Sequence, residues 1–207
     1  TSVLRKACTK KALQMLKKLA TNEPEKYKEC WAQYGSVLKE GLVEDQENRD
    51  DIFALMRYAT TTSGSAEPTV SLADYISRMP EKQKNIYYIV GENYAAAASS
   101  PYLENLKKKG VEVLLLWERV DEWIMAQVSD YKDHKFISAA ASNLELGDLE
   151  DKEEKEKQEA ATKENGDLLK RIKDALGEKV SEVKVSSRLV DTPSCVISDG
   201  MNMMTAQ

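Results

Sequence analysis

The first sixty residues carry apolar side chains at the spacing of an α-helix, with lysines and glutamates between them. This periodicity predicts amphipathic helices that each turn one apolar stripe toward a core. The stripe of the opening helix is formed by Leu4, Cys8, Ala12, Met15, Leu16 and Leu19. Pro24 starts a second helix, whose stripe is formed by Tyr27, Cys30, Trp31, Tyr34 and Leu38. A third helix is predicted around residues 46–58, with Ile52, Leu55 and Met56 facing inward.

Farther along the chain the apolar residues form short uninterrupted runs instead. Ile86–Val90 and Val111–Leu116 predict two buried strands. A helix that opens at Ser100 and Pro101 and ends at Gly110 joins them. Continuous apolar strands connected by a helix are typical of a parallel sheet that is covered on both faces.

Two further helices in this region are predicted from their first residues. Ser71 and Asp74 form a capping pair for a short helix, and Asp121 caps a second one that contains Trp123.

In the strand Ile86–Val90 we expect one of the two adjacent tyrosines to be buried and the other to cover a face. Residues 135–138 predict a third strand at the edge of the sheet.

The last third of the chain changes character again. Residues 144–165 are dominated by Glu, Lys and Asp, which indicates a solvated helix or a linker at a domain boundary. A helix then runs to Gly177, and alternating apolar residues at 183–189 and 194–198 predict a hairpin turned at Pro193. The predicted fold class is α/β (α+β overall): helices, then a small α/β/α domain, then a truncated helix-plus-hairpin domain.

Composition excludes several kinds of partner. The 207 residues carry a formal net charge of −5, which disfavours nucleic acid and anionic membrane surfaces. The sequence contains no apolar run long enough to cross a membrane. We therefore expect a cytoplasmic protein that binds neither.

Residues that could carry chemistry are few. Cys8, Cys30 and Cys195 are widely spaced, and we expect Cys8 and Cys30 to be reduced and buried on helical faces. His134 stands alone in a predicted surface loop, so no metal site is expected. Gly91 follows a strand, but a single glycine followed by an acid does not make a phosphate-binding loop. These patterns predict no catalytic residue and no cofactor in this chain.

Several longer motifs resemble the heat shock protein 90 family of chaperones. They are residues 42–49 (LVEDQENR), 71–79 (SLADYISRM), 83–92 (QKNIYYIVGE), 100–103 (SPYL), 111–116 (VEVLLL), 120–123 (VDEW) and 187–193 (SRLVDTP). The motifs occur in order and cover nearly the whole chain, and residues 121–125 resemble the bacterial HtpG branch in particular.

The resemblance implies a piece of an ATP-driven chaperone. Residues 1–143 resemble the later half of the middle domain, with closing helices at 1–60 and a small α/β/α subdomain at 71–143. Residues 144–165 would be a charged linker or helix, and residues 166–207 the start of a truncated C-terminal dimerisation domain. The family's ATP and magnesium site would lie outside this chain, which is then not an enzyme by itself.

The resemblance also implies partners and a site. Glu122 and Trp123 match the acid and the tryptophan of the HtpG-type middle domain that are associated with client proteins. Met201, Met203 and Met204 match the start of the family's amphipathic client helix. Expected partners are unfolded or partly folded proteins and co-chaperones. The longer parent would be a homodimer, but the helices that build its dimer interface would follow Gln207, so the resemblance does not support dimerisation of this chain by that route.

Three functions stay open on the sequence. The chain could bind clients, it could be a structural connector without client contact, or it could be a small α/β enzyme domain that binds a nucleotide or another small molecule. Trp123 separates the first two, because a buried tryptophan favours the connector. Met201, Met203 and Met204 are equally consistent with a client-binding surface and with packing inside a domain.

Overall fold

The computed structural model describes residues 2–141, 144, 146–149 and 152–197. Within these ranges the helices are α1 (Ser2–Asn22), α2 (Pro24–Glu44), α3 (Arg49–Phe53), α4 (Leu72–Ser77), α5 (Tyr94–Ala98), α6 (Glu104–Lys108), α7 (Arg119–Met125), α8 (Lys152–Glu164) and α9 (Gly166–Leu176). The strands are β1 (Ala59–Thr60), β2 (Ile86–Val90), β3 (Val113–Leu116), β4 (Asp130–Tyr131) and β5 (His134–Ser138). Short 3-10 turns occupy Pro101–Leu103, Gly147–Leu149 and Gly177–Lys179. The predicted α/β class is confirmed.

The sheet of the described residues has the strand order β1-β3-β2-β5-β4. β2 is parallel to β3, as the two continuous apolar runs predicted, and it is also parallel to β5. β1 and β4 are antiparallel to their neighbours. The third strand predicted at residues 135–138 is confirmed as part of β5. Its predicted position at the edge of the sheet is wrong, because the chain turns at Lys132 and β4 pairs with the start of β5.

Alternate residues of the central strands enter two different cores, which makes the domain three-layered. Leu114 and Leu116 of β3 pack with the helical layer that contains α2, α3, α4 and α7. Val113 and Leu115 face the opposite layer, built from α5 and α6. All four residues of β3 are buried, as expected for an uninterrupted apolar strand that is covered on both faces. Tyr87 is buried and Tyr88 half-buried, in agreement with the expectation for that pair.

α1 and α2 form an antiparallel pair, in which Lys6 of α1 meets Glu47 just beyond the end of α2. Because α1 is covered on one side only, Leu13 is its buried residue, whereas Leu4, Cys8 and Met15 are exposed. The prediction of a buried Cys8 is therefore wrong. On α2 the buried stripe is Tyr27, Trp31, Gly35, Lys39 and Leu42, which leaves Tyr34 exposed instead of inside.

Two helices differ from their predicted bounds. α3 ends at Phe53, and Leu55 and Met56 are fully buried in the turn that leads to β1 rather than in a helix. The predicted helix at Ser100 begins as a 3-10 turn and becomes α6 only at Glu104. The capping pair Ser71–Asp74 is confirmed, with the Asp74 amide donating to Ser71 Oγ at 3.0 Å.

In the C-terminal third, residues 152–164 of the charged tract form the helix α8, and α9 closes with Gly177 at its C-cap as predicted. The predicted hairpin is wrong: residues 180–197 form no strand, and Ser198 of that hairpin lies outside the described residues. A two-stranded hairpin is marginal without a sheet to pack on. Here side chains of neighbouring elements bind backbone groups of the segment instead, as Gln158 of α8 does at Val185.

Candidate functional site

α7 follows the C-terminal end of β3 and begins the surface that the sequence singled out. Asp121 was predicted to cap this helix, but the helix starts earlier, with Glu118 at the N-cap position. Asp121 lies in the first turn, where its Oδ2 accepts a hydrogen bond from the Glu118 amide at 3.1 Å. The carboxylate therefore still satisfies a free amide of the helix start, from inside the helix.

A buried ion pair ties α7 to α2. Lys39 Nζ of α2 lies 2.6 Å from Asp121 Oδ1 and 3.3 Å from Glu118 Oε1, and the side chains of Lys39 and Asp121 are almost fully buried. Ser36, one turn earlier on α2, donates to Glu118 Oε2 at 3.0 Å. Burial raises the pKa of the Asp121 carboxyl above its ordinary value, and the Lys39 ammonium opposes that rise. The pair fixes the inner face of α7, and the sequence analysis did not detect it.

Glu122 and Trp123 lie next to this anchored face and reach solvent. Trp123 is 43% exposed, whereas its neighbour Ile124 is 2% exposed and packs in the core. Glu122 is exposed as well. The structure thus presents an indole and a carboxylate side by side on a helix that is held from behind, and Trp123 is not the fully buried residue that a connector alone would favour.

The other candidate site residues, Met201, Met203 and Met204, lie outside the described residues. Further exposed apolar side chains were not predicted as a surface. Tyr34 and Val37 are 61% and 65% exposed on α2, the helix that packs on α7. On α9, Leu168, Ile172 and Leu176 are exposed at a spacing of four residues. The helical period of these residues was readable from the sequence, but which faces neighbours cover was not.

The turn after β2 has a structural reason for its glycine. A Cβ on Gly91 would lie 2.7 Å from the backbone nitrogen of Ala97, so only glycine permits α5 to approach. The Gly91 amide donates to the Leu116 carbonyl at 2.9 Å, and Asn93 Oδ1 accepts from the Ala96 amide at 2.9 Å. These amides are already bonded within the protein, which disfavours a phosphate site at this turn.

Residues with metal-binding or nucleophilic side chains are scattered. His134 begins β5 rather than lying in a loop, and its Nδ1 is 2.7 Å from the Lys84 carbonyl oxygen. Cys30 and Cys195 are half-buried. In the part of the chain that the structure describes, no three or more His, Cys, Asp or Glu side chains gather where they could hold a metal ion. No helix there is long and apolar enough to cross a membrane.

Comparisons with known proteins agree on one family. A family model described as "Hsp90 protein" matches residues 1–207. Chaperone protein HtpG of Shewanella sediminis is 54% identical over 205 residues, which cover 99% of this chain and 32% of that protein. HtpG of Shewanella loihica is 52% identical over 207 residues, with 100% and 32% covered. The chain thus spans about a third of the length of these curated relatives.

A solved structure is similar as well. The middle domain of a Plasmodium falciparum heat shock protein superposes with a TM-score of 0.63 at 34% sequence identity. The match covers 67% of this chain and 57% of that one.

Proposed function

The chain belongs to the Hsp90 family, and from this premise we propose that it holds unfolded or partly folded client proteins on α7 and links the parts of a longer chaperone. The observation that carries the client role is the 43% exposure of Trp123 on a helix anchored by the buried Lys39–Asp121 pair. A fixed indole offers apolar area to a client without losing much conformational freedom on binding.

Glu122 extends this surface to clients that carry basic residues. Its carboxylate is exposed next to the indole. An exposed ion pair contributes about 1 kcal/mol at most, so Glu122 would tune the choice of client while Trp123 supplies most of the contact. Met201, Met203 and Met204 would add a second, adaptable contact, because the flexible thioether side chain fits many apolar partners.

The properties of the whole chaperone belong to the same proposal. We expect an ATPase whose ATP and magnesium site lies outside this chain, a homodimeric parent, co-chaperone partners and a cytoplasmic location. In this arrangement residues 1–143 are the later half of the middle domain, with closing helices at 1–60 and a small subdomain at 71–143. Residues 144–165 join that domain to residues 166–207, the start of the dimerisation domain.

A specific contact also favours the linking role. The Asn105 amide of α6 donates to the Arg188 carbonyl at 3.2 Å. The small subdomain at 71–143, called the small α/β unit below, therefore contacts the segment beyond α9 directly. Linking and client binding can coexist in one chain. The enzyme alternative lacks comparable support, because the turn after β2 already uses its amides within the protein.

The test is a titration of a permanently unfolded protein, rich in apolar residues and lysine, into the chain. We expect Trp123→Ala to weaken binding several-fold, since the truncation removes most of the apolar contact. Met15→Ala is the matched control, because Met15 is 62% exposed but lies on α1. Circular dichroism verifies that both variants fold.

The other outcomes redirect the proposal. Unchanged binding by Trp123→Ala would remove that residue from the site, and replacing Met201, Met203 and Met204 together by serine would be the next test. Equal weakening by Met15→Ala would mean that any exposed apolar residue suffices. Absence of binding by the unmodified chain would leave the linking role alone.

A further inference from the structure

The segment that follows α9 is held on the small α/β unit by groups that bind its backbone. Residues 185–196 join no strand, so their peptide groups need other partners. Gln158 Nε2 donates to the Val185 carbonyl at 2.8 Å, and the Tyr102 hydroxyl donates to the Val196 carbonyl. Side chains of α8 and of the turn before α6 thus satisfy carbonyls near both ends of the segment.

Glu104, the first residue of α6, binds the middle of the segment through consecutive amides. Its Oε2 accepts from the Val190 amide at 2.5 Å, from the Asp191 amide at 2.9 Å and from the Thr192 amide at 3.2 Å. Its Oε1 accepts from the Thr192 amide at 3.2 Å and from the Thr192 hydroxyl. One carboxylate therefore collects three successive backbone donors and one side-chain donor.

This arrangement is specific for an ionised acid in this position. Charge-assisted hydrogen bonds are about twice as strong as neutral ones, and three amides in a row fix the direction of the chain as well as its position. The Thr192 hydroxyl and the amides of residues 190–192 lower the pKa of Glu104 to about 2. Glu104 therefore stays ionised throughout the neutral range.

We propose that Glu104 is a positioning residue, a clasp that captures the amides of Val190, Asp191 and Thr192 and so fixes the segment beyond α9 to the small α/β unit. This proposal rests on the linking part of the proposed function and does not depend on client binding by Trp123. Because three of the four donors are backbone amides, the side chains of the held segment other than Thr192 matter less than the acid that holds it.

The surroundings of the clasp supply a second reporter. Cys195 and Arg188 lie on the held segment close to Glu104 and Tyr102. Burial raises the pKa of the Cys195 thiol, the Arg188 guanidinium opposes that rise, and the Glu104 carboxylate adds to it. Release of the segment should therefore make the Cys195 thiol more reactive.

The primary experiment is amide hydrogen exchange on the full chain with Glu104→Gln. We expect exchange at Val190, Asp191 and Thr192 to accelerate about tenfold. The glutamine carbonyl is a weaker acceptor than a carboxylate, and the glutamine NH2 group would face backbone N–H groups that need an acceptor. The amides of Gly91 and Ala139, which bond within the small unit, report folding and should not change. Glu104→Asp should retain part of the protection, and Thr192→Val should accelerate exchange less than Glu104→Gln does.

Glu182→Gln is the matched control, because Glu182 lies in the same part of the chain and pairs with Lys184 on the surface. In a background with Cys8 and Cys30 changed to serine, thiol labelling of Cys195 should accelerate in Glu104→Gln and not in Glu182→Gln. Thr192→Val keeps the Glu104 carboxylate, so a smaller acceleration in that variant reports release of the segment apart from the loss of charge. Unchanged exchange at residues 190–192 in Glu104→Gln would overturn the clasp. Equal acceleration at Gly91 and Ala139 would overturn it too, because Glu104 would then support the whole fold. Client titration of Trp123→Ala is read separately, so either proposal can fail alone.

Discussion

Lys39 of α2 and Asp121 of α7 form an ion pair of 2.6 Å between residues 82 positions apart in the chain, with side chains only 7% and 5% exposed. The pair sets which face of α7 is turned inward. Through that face it also sets which residues of α7 remain available at the surface.

The two partners of this pair should respond unequally to mutation. Lys39→Met leaves a buried carboxylate without its cation and should reduce the free energy of unfolding by about 3–5 kcal/mol. Asp121→Asn should cost less, because Lys39 keeps Glu118 at 3.3 Å. The double variant Lys39→Met, Asp121→Asn should recover much of the loss caused by Lys39→Met, because no unpaired buried charge remains at position 121. Urea unfolding of all four proteins measures this cycle, and additive losses would contradict the coupling.

The two tryptophans on α2 and α7 should separate stability from binding. Trp31 is 6% exposed and packs in the core, so Trp31→Ala should cost about 3–5 kcal/mol of unfolding free energy. Trp123→Ala should cost about 1 kcal/mol or less, because 43% of its surface already meets solvent. Thermal and urea unfolding compare the two. A large loss from Trp123→Ala would indicate a packing role for this side chain.

Stability should fall on the alkaline side through buried tyrosines. Burial raises the pKa of Tyr27 to about 12, and the pKa values of Tyr58 and Tyr75 are also raised by burial. An unfolded tyrosine ionises near pH 10. Because the folded pKa of Tyr27 lies above the unfolded one, its contribution to the free energy of unfolding is complete below about pH 10 and is lost as pH rises toward 12.

The check is the free energy of unfolding of Tyr27→Phe between pH 8 and 12. The variant loses the hydrogen bond from the hydroxyl to the Leu55 carbonyl at 2.5 Å and should be less stable at pH 8. Between pH 8 and 12, its free energy of unfolding should fall by about 2–3 kcal/mol less than that of the unmodified protein, since one pKa unit corresponds to about 1.4 kcal/mol. Parallel curves for the two proteins would show that Tyr27 ionises with the same pKa in the folded and unfolded states, which would contradict the raised pKa.

Gly91 and Gly110 should differ in how they reject alanine. Gly91→Ala places a methyl group 2.7 Å from the Ala97 nitrogen, and overpacking of this kind costs about 1–3 kcal/mol. Gly110 has a φ of +71° with open space around it, so Gly110→Ala should cost about 1 kcal/mol of backbone strain. Crystal structures of the variants would distinguish a displaced α5 from an unmoved turn. A neutral Gly91→Ala would mean that α5 shifts freely.

The sequence predicted best those elements whose pattern has one structural solution. The bounds of β2 match the predicted run Ile86–Val90, because a run of five β-branched and aromatic residues that ends at a glycine is short for a helix and favours a covered strand. The stripe predicted for α1 is right in part, because Leu16 and Leu19 are half-buried and pack against the core. Leu4, Cys8 and Met15 are exposed, and the buried residue of this helix is Leu13. Periodicity reports the apolar direction of a helix but not how much of it a neighbour covers.

The hairpin at residues 183–198 failed for a related reason. Alternation records which side chains avoid water, but it does not tell which group binds the backbone. Here Glu104, more than eighty positions earlier, occupies amides that a partner strand would have used. Trp123 could be assigned to a helix start from sequence, whereas its exposure depends on Lys39, which only the folded chain brings near.

The outermost strands of the described sheet are short, and this bears on the client role proposed above. β1 and β4, at the two edges of the sheet, contain two residues each. A long bare edge would offer a row of free peptide groups on which an extended polypeptide could add as a further strand and begin to aggregate. With edges this short, a client held on α7 as proposed would contact side chains and find little free backbone to pair with, so it could dissociate again.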